Sequence, residues 1–307
     1  MGRDPPRIKM KTGVTMETQP KAALVFLLLL LNSASLSADV YRCQDSHGRV
    51  VYTDRRDVCP GQNPMPVTAT ASRVERRFVS QIPDLLQTHP LADFLLGGRN
   101  YCAPAAVANS LAWLNGTPGF DHQVQLAGTL ADPRYMNSAA DGTTPNALLR
   151  GVSRYFRDQR QRYRQLGFQG WRSVPQRFHR SNTINLNWLA DGIGERSTVW
   201  LNIGWYRQHQ PGQFQRIGGH WVTLVGYELS ATTYGAKRLI VHDPAPRSGH
   251  EFASEYVDIS PMVRSFMVNE HGQQLRSLTG LWQMKQGLHL SKHADIALLD
   301  GAVRLDL

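Results

Sequence analysis

The stretch GGRNYCAPAAVANSLAWL, residues 97–114, places a cysteine at the start of an apolar, alanine-rich helix pattern. Ala103, Val107, Leu111 and Leu114 recur at helical spacing, and Asn115-Gly116 supplies a stop. A structural cysteine would fit anywhere along such a helix. Cys102 instead occupies its first turn, where backbone N–H groups carry partial positive charge and favour a thiolate. Gly97 and Gly98 just upstream let another backbone approach closely. Pro104 removes one N–H from the helix start, but the Cys102 N–H remains as a donor to an oxyanion. Against the bland alternative of a small buried hydrophobe, this placement reads as a nucleophile. A nucleophile needs a base, and the base needs a group to hold it.

Downstream the period changes from helix to strand. "DGTTPNALLRGVSRYF" is a second helix, with Thr144 as N-cap, Pro145 at its first position and Leu148, Leu149, Val152 and Phe156 on its apolar face. "LNWLADGIGE" is a third, shorter one. "STVWLNIGWY", "HWVTLVGYEL", "KRLIVHDP" and "EFASEYVDI" are rich in β-branched and aromatic residues and read as strands. Helices followed by strands imply an α+β domain. His220 follows Gly218-Gly219 at the expected start of one strand, where an imidazole could shuttle a proton. Asp243 lies where the next strand ends at Pro244, within reach of His220 if the two strands are neighbours. His242 points to the opposite face by strand alternation and is set aside as the orienting group. Singly, each is also an ordinary surface histidine or turn aspartate; together they complete a nucleophile, base and orienter in chain order.

The contexts "CAPAAV", "HWVTLVGY" and "HDP" resemble those around the cysteine, histidine and aspartate of papain-like cysteine peptidases, in the group related to the bacteriocin-leader peptidases that cut after a double glycine. The resemblance covers most of residues 95–250. It implies a papain-like fold, with the nucleophile helix packed on an antiparallel sheet. It also implies Cys102 as nucleophile, His220 as general base and acid, Asp243 as orienter, and a peptide or protein substrate, with no cofactor and no metal. Two positions depart from the group: Ala103 replaces the usual glycine after the nucleophile, and "LLGGRN" lacks the usual upstream glutamine that helps hold the oxyanion. Asn100 is the nearest amide that could donate instead. Cys-His acyl-transfer enzymes such as cell-wall amidases or transamidases, and an inactive papain-like domain kept for binding, are the alternatives. The first commonly carry "DCSG" where this chain has "YCAP".

The N-terminal part has a different character. Lys21, the apolar run Ala22–Leu31 and the small residues Ser35, Ser37 and Ala38 have the layout of a signal peptide, which implies a periplasmic or secreted protein without a transmembrane segment in the mature chain. Next comes "DVYRCQDSHGRVVYTDRRDVCPGQNP", where Val40–Cys43 and Arg49–Thr53 flank a turn and read as a hairpin. So few residues cannot bury enough apolar surface to fold alone. Cys43 and Cys59 are placed to staple the hairpin, for about 3 kcal/mol, which leaves Cys102 as the free thiol of three cysteines. The "VYRC…G.VVYTD…C" pattern resembles a short domain of unknown function of exported Gram-negative proteins. Residues 66–90 read as a linker with a weak helical pattern (Val79, Ile82, Leu85, Leu86) interrupted by Pro83, residues 91–290 as the peptidase-like domain, and residues 291–307 as a tail, either an edge strand or loose.

The formal charge is +10, of which +3 belongs to residues 1–38. Nine arginines and one acid, Asp158, fall between Arg150 and Arg180. This run reads first as a solvated basic helix face, and second as a contact for an anionic surface. Nothing in it resembles a nucleic-acid motif, and export argues against that partner.

Overall fold

The computed structural model describes residues 40–44, 50–53, 65–67, 74–230, 237–246 and 254–307. The expected signal peptide, and Cys59 with its bridge to Cys43, lie outside the described residues. The chain divides into two compact units, Met1–Ala69 and Thr70–Leu307. In the first, β1 (Val40–Gln44) pairs antiparallel with β2 (Val50–Thr53) and β3 (Met65–Val67). The expected hairpin is present, with Cys43 opposite Val51.

The second unit is mixed α/β. It begins with β4 (Val74–Phe78), followed by the helices α1 (Cys102–Leu114), α2 (Phe120–Ala131), α3 (Ser138–Asp141) and α4 (Pro145–Asp158). Then come β5 (Gln165–Gly170), β6 (His179–Ser181), α5 (Leu186–Asp191), β7 (Ser197–Gln210), β8 (Gln213–Ser230) and β9 (Lys237–His242). The chain closes with β10 (Glu255–Pro261), β11 (Phe266–Val268), β12 (Gln274–Ser277), β13 (Trp282–Met284) and β14 (Ile296–Asp306). The antiparallel sheet closes on itself. Strands β7, β8, β9, β10, β13 and β14 pair in sequence and β14 returns to β7, so the sheet closes into a ring. Leu201, Ile203, Val222, Leu224, Leu239, Val241, Val257, Ile259 and Leu299 fill its interior. Alternating side chains on the other face, Trp200 and Trp221 among them, meet the helices.

Helix α1 lies against β7 and β8. Trp200 Nε1 donates to Ser110 Oγ (2.8 Å) and Thr223 Oγ1 donates to the Ala106 carbonyl (2.8 Å). The sequence implies one apolar face for α1, but every residue from Ala103 to Ala112 is buried. Its alanines are small enough for the barrel on one side and α2 with residues 82–94 on the other to close over it. Helix α4 begins as its sequence implies: Thr144 Oγ1 accepts from the Ala147 N–H (3.2 Å), Pro145 opens the helix, and Leu148, Leu149, Val152 and Phe156 are buried.

Three segments differ from the sequence reading. The tail contains β14, which is central to the ring rather than an edge, because Ile296–Asp306 pairs with β7, β13 and β5. Residues 74–90 are not a linker: β4 adds to β8, no helix forms around Pro83, and Ile82 and Leu85 are buried. The Leu85 N–H donates to Asn109 Oδ1 of α1 (3.0 Å) and fastens this segment to the helix. His220 does not open its strand. Strand β8 starts at Gln213, because the β7–β8 hairpin runs on past the ring and carries Gly218 and Gly219 inside it.

Candidate functional site

The first turn of α1 presents Cys102 at the rim of the ring, partly exposed and the one free cysteine among the described residues. His220 projects from β8, 5% exposed, with its ring stacked on Trp205 of β7 at 5.9 Å between centroids and 22° between planes. Asp243, fully buried, follows the last residue of β9, which pairs with β8. The imidazole and the carboxylate meet at 2.5 Å between His220 Nε2 and Asp243 Oδ1, and that same oxygen accepts the Ala245 N–H (2.9 Å). The Cys102 side chain lies close enough to the same imidazole to raise its pKa. With Nε2 committed to Asp243, Nδ1 is the nitrogen left to face the thiol. The three residues singled out in the sequence therefore come together, from one helix and two adjacent strands.

Burial of the His220 ring lowers its pKa. The Asp243 charge and hydrogen bond, with a smaller contribution from Cys102, outweigh it and push the value up to about 9. The ring therefore holds its proton at neutral pH. Tyr101 contributes no side-chain cap to α1, so the first N–H groups of the helix stay available to a ligand.

A cleft of about 450 Å³ opens beside these groups. One wall is Arg99, Asn100 and the turn Asp141–Pro145; the other is Trp205, Gly218, Gly219 and Trp221. Trp221 Nε1 donates to the Thr143 carbonyl (2.8 Å) and holds the two walls together. Asn100 lines the cleft.

Gln87 also lines the cleft and escaped the sequence reading. Its side-chain NH₂ donates to the carbonyls of Gly98 (3.2 Å) and Arg99 (2.8 Å), and its backbone N–H donates to the carbonyl of Pro244 (2.7 Å). It thus ties the loop before Cys102 to the turn after Asp243. With both amide hydrogens engaged, it is a positioning residue and not an oxyanion donor.

His242 stands apart from these groups, as strand alternation implies. It is 2% exposed, with Nδ1 3.3 Å from the Pro83 carbonyl and Nε2 2.9 Å from Ser254 Oγ. Burial pushes its pKa down to about 4, against a smaller upward effect of the Pro83 hydrogen bond. A folded value below the unfolded one means that the unfolded chain binds the proton more readily. The stability contribution of neutral His242, about 3 kcal/mol, is therefore complete above pH ~6.5 and lost as pH falls through ~4. Urea unfolding at pH 7 and pH 4.5 checks this: His242→Gln should lose less stability between the two than the parent, and equal losses would rule out His242 as the acid-sensitive group.

The arginine run divides. Arg150, Arg154, Arg157 and Arg177 line a second depression, of about 420 Å³, on α4. Arg164 reaches Asp306 at 3.4 Å, and Arg134 pairs with Asp158 at 2.9 Å. Arg172 leaves the run altogether and lines the cleft of Cys102. Among the described residues no helix is long and apolar enough to cross a membrane.

Residues 26–76 match the family model of a domain of unknown function (DUF4124). The DUF4124 match includes the β1–β2 hairpin and ends before Cys102, His220 and Asp243. Comparison with curated proteins gives no match.

Proposed function

We propose that the second unit is a papain-like cysteine peptidase that hydrolyses peptide bonds with Cys102, His220 and Asp243. The observation that carries this reading is the chain of contacts from the Cys102 thiol through the His220 imidazole to the buried Asp243 carboxylate, at a helix N-terminus that opens on a cleft. The support for the fold is a nucleophile helix lying on a closed antiparallel sheet. In the proposed reaction, the Cys102 sulfur attacks the carbonyl carbon of the scissile bond and the Cys102 N–H donates to the developing oxyanion. Protonated His220 gives its proton to the leaving amine as the C–N bond breaks. Water then attacks the thioester, His220 takes a proton from that water, and the acid product leaves with the C–S bond broken. Asp243 keeps the imidazole oriented throughout and stabilises its charged form before and after the two proton transfers. Asn100 is a second oxyanion donor in this reading. The signal-peptide layout supports a reaction in the periplasm or outside the cell.

A fluorogenic peptide library, digested by the purified protein before and after treatment with iodoacetamide, tests the proposal. Cleavage that disappears as Cys102 is alkylated is the expected result. A library left intact by protein whose Cys102 alkylates readily would indicate a binding domain, and cleavage surviving full alkylation would remove Cys102 from the reaction.

A further inference from the structure

The cleft holds a group of polar side chains that the proposed hydrolysis does not use. Gly204 of β7 and Gly219 of β8 lie directly opposite each other. A side chain at Gly204 would overlap the Asp300 carboxylate, and a Cβ at Gly219 would stand 2.7 Å from an Arg216 guanidinium nitrogen. The paired glycines thus leave a hollow in the sheet face, and an ion pair fills it. Arg216 Nε donates to Asp300 Oδ2 at 2.8 Å, while Tyr206 Oη and Trp171 Nε1 donate to Asp300 Oδ1 at 2.7 and 2.9 Å. Asp300 is fully buried, so Arg216 is held firmly next to the residue that precedes His220.

Two neighbours in the same cleft lack such partners. The Arg172 guanidinium lies 5.1 Å over the Trp171 ring, whose other cationic neighbour is Arg276 at 4.4 Å. Among the described residues it makes no hydrogen bond or ion pair. Burial, then the nearby Arg216 charge, lower its pKa, against smaller upward effects of Asp300 and Tyr206. Asn202 is 3% exposed and lines the same cleft, and its side-chain amide makes no hydrogen bond among the described residues, so Nδ2 can donate to a bound group. A guanidinium without a hydrogen-bond partner, beside an amide N–H that can donate, is a cost that an anionic acceptor in this preformed cleft would remove.

We propose that Arg172, Arg216 and Asn202 form a subsite that binds a carboxylate of the substrate beside the scissile bond. This deepens the peptidase reading and rests on it. Asp300 neutralises Arg216, so the interior of the subsite carries one net positive charge, which suits a monoanion rather than a phosphate. Arg99 and Asp141 lie at the exposed rim and oppose each other in sign. A planar guanidinium placed over an indole ring can meet the two oxygens of a carboxylate. That carboxylate comes either from an acidic side chain within the peptide or from its C-terminus.

Acetylated hexapeptides distinguish these sources: one set carries Glu or Gln at a position scanned along the peptide, the other ends in an acid or an amide. Binding is followed by calorimetry on the full-length Cys102→Ala protein, and kcat/KM is measured on the parent. One placement of the carboxylate should favour binding about tenfold or more over its neutral twin. Arg172→Gln should bring that ratio close to one, Arg172→Lys should restore part of it, and the exposed Arg162→Gln, with the same loss of charge, should leave it intact. Circular dichroism verifies that each variant is folded. Equal binding of every acid and neutral pair, a preference that survives Arg172→Gln, or no binding at all would overturn the subsite. A carboxylate preference in binding without turnover by the parent would leave the subsite standing and defeat the peptidase reading; turnover without the preference would do the reverse.

Discussion

Cys102→Ala is expected to reduce peptide hydrolysis to background, and Asp243→Asn to lower kcat/KM by about a thousandfold or more while leaving the fold intact. The first follows from losing the atom that forms the acyl bond. The second has a more particular cause. Asp243 Oδ1, fully buried, receives the His220 Nε2 hydrogen at 2.5 Å. Asparagine keeps the shape but removes the charge, and its amide presents either a weaker acceptor or an N–H to the ring. Burial, which acts to lower the His220 pKa, then meets less opposition. The folded value of about 9 lies above the ordinary one of 6.5, so the imidazolium that protonates the leaving amine persists until pH rises through about 9. The parent should therefore lose kcat/KM along an alkaline limb centred near pH 9, and Asp243→Asn should move that limb to lower pH. A limb that does not move would mean that Asp243 is not what keeps the ring charged. The same shift contributes stability that is complete below pH ~6.5 and lost as pH rises through ~9. His242 acts in the opposite direction, and the two contributions are both complete only near pH 6.5.

Cys102 and Asp243 were legible in the sequence because each sits where a regular element starts or stops, whereas His220, inside β8, was legible from the glycines before it and the apolar run after it. Gly98 before α1 and Pro244 after β9 are the local signals at those two boundaries. What the sequence did not reveal depends on pairing between distant segments. Nothing local marks Ile296–Asp306 as a central strand, since that position exists only once β7 and β13 flank it. Helix α2 was missed because its sequence, FDHQVQLAGTLA, mixes β-branched and polar residues, and its helix is stabilised by packing against α1. Arg172 was one of nine arginines in a run, and composition cannot separate the one that turns into the cleft from those that stay on the α4 surface. Gln87 lies fifteen residues before Cys102, outside the window in which an upstream glutamine was sought. The extended path of residues 74–90 brings it back to the loop it holds.

That loop sets the second large effect. Leu96, Gly97 and Gly98 all have positive φ (55°, 64° and 71°), and this bend delivers Cys102 to His220. At Gly98 an added Cβ would overlap the carbonyl oxygen of Gln87, a backbone atom that cannot turn aside, and would press on the Phe94 ring at 3.2 Å. At Gly97, with nearly the same φ, a Cβ meets nothing within 4 Å. The two glycines therefore separate conformational strain from close approach. Gly97→Ala should cost only the left-handed conformation, about 1 kcal/mol, and retain most of the turnover. Gly98→Ala should cost about 3 kcal/mol or more, since relieving the overlap means parting the loop from Gln87. Parting them also displaces the start of α1, and a displacement of about 1 Å at a reacting atom is enough to lose about a hundredfold in rate. Urea unfolding and kcat/KM on both variants measure the difference. If Gly98→Ala proved no worse than Gly97→Ala, the Gln87 clasp would not be what positions the thiol, and the alignment of Cys102 with His220 would have to come from the packing of α1 on β8 alone.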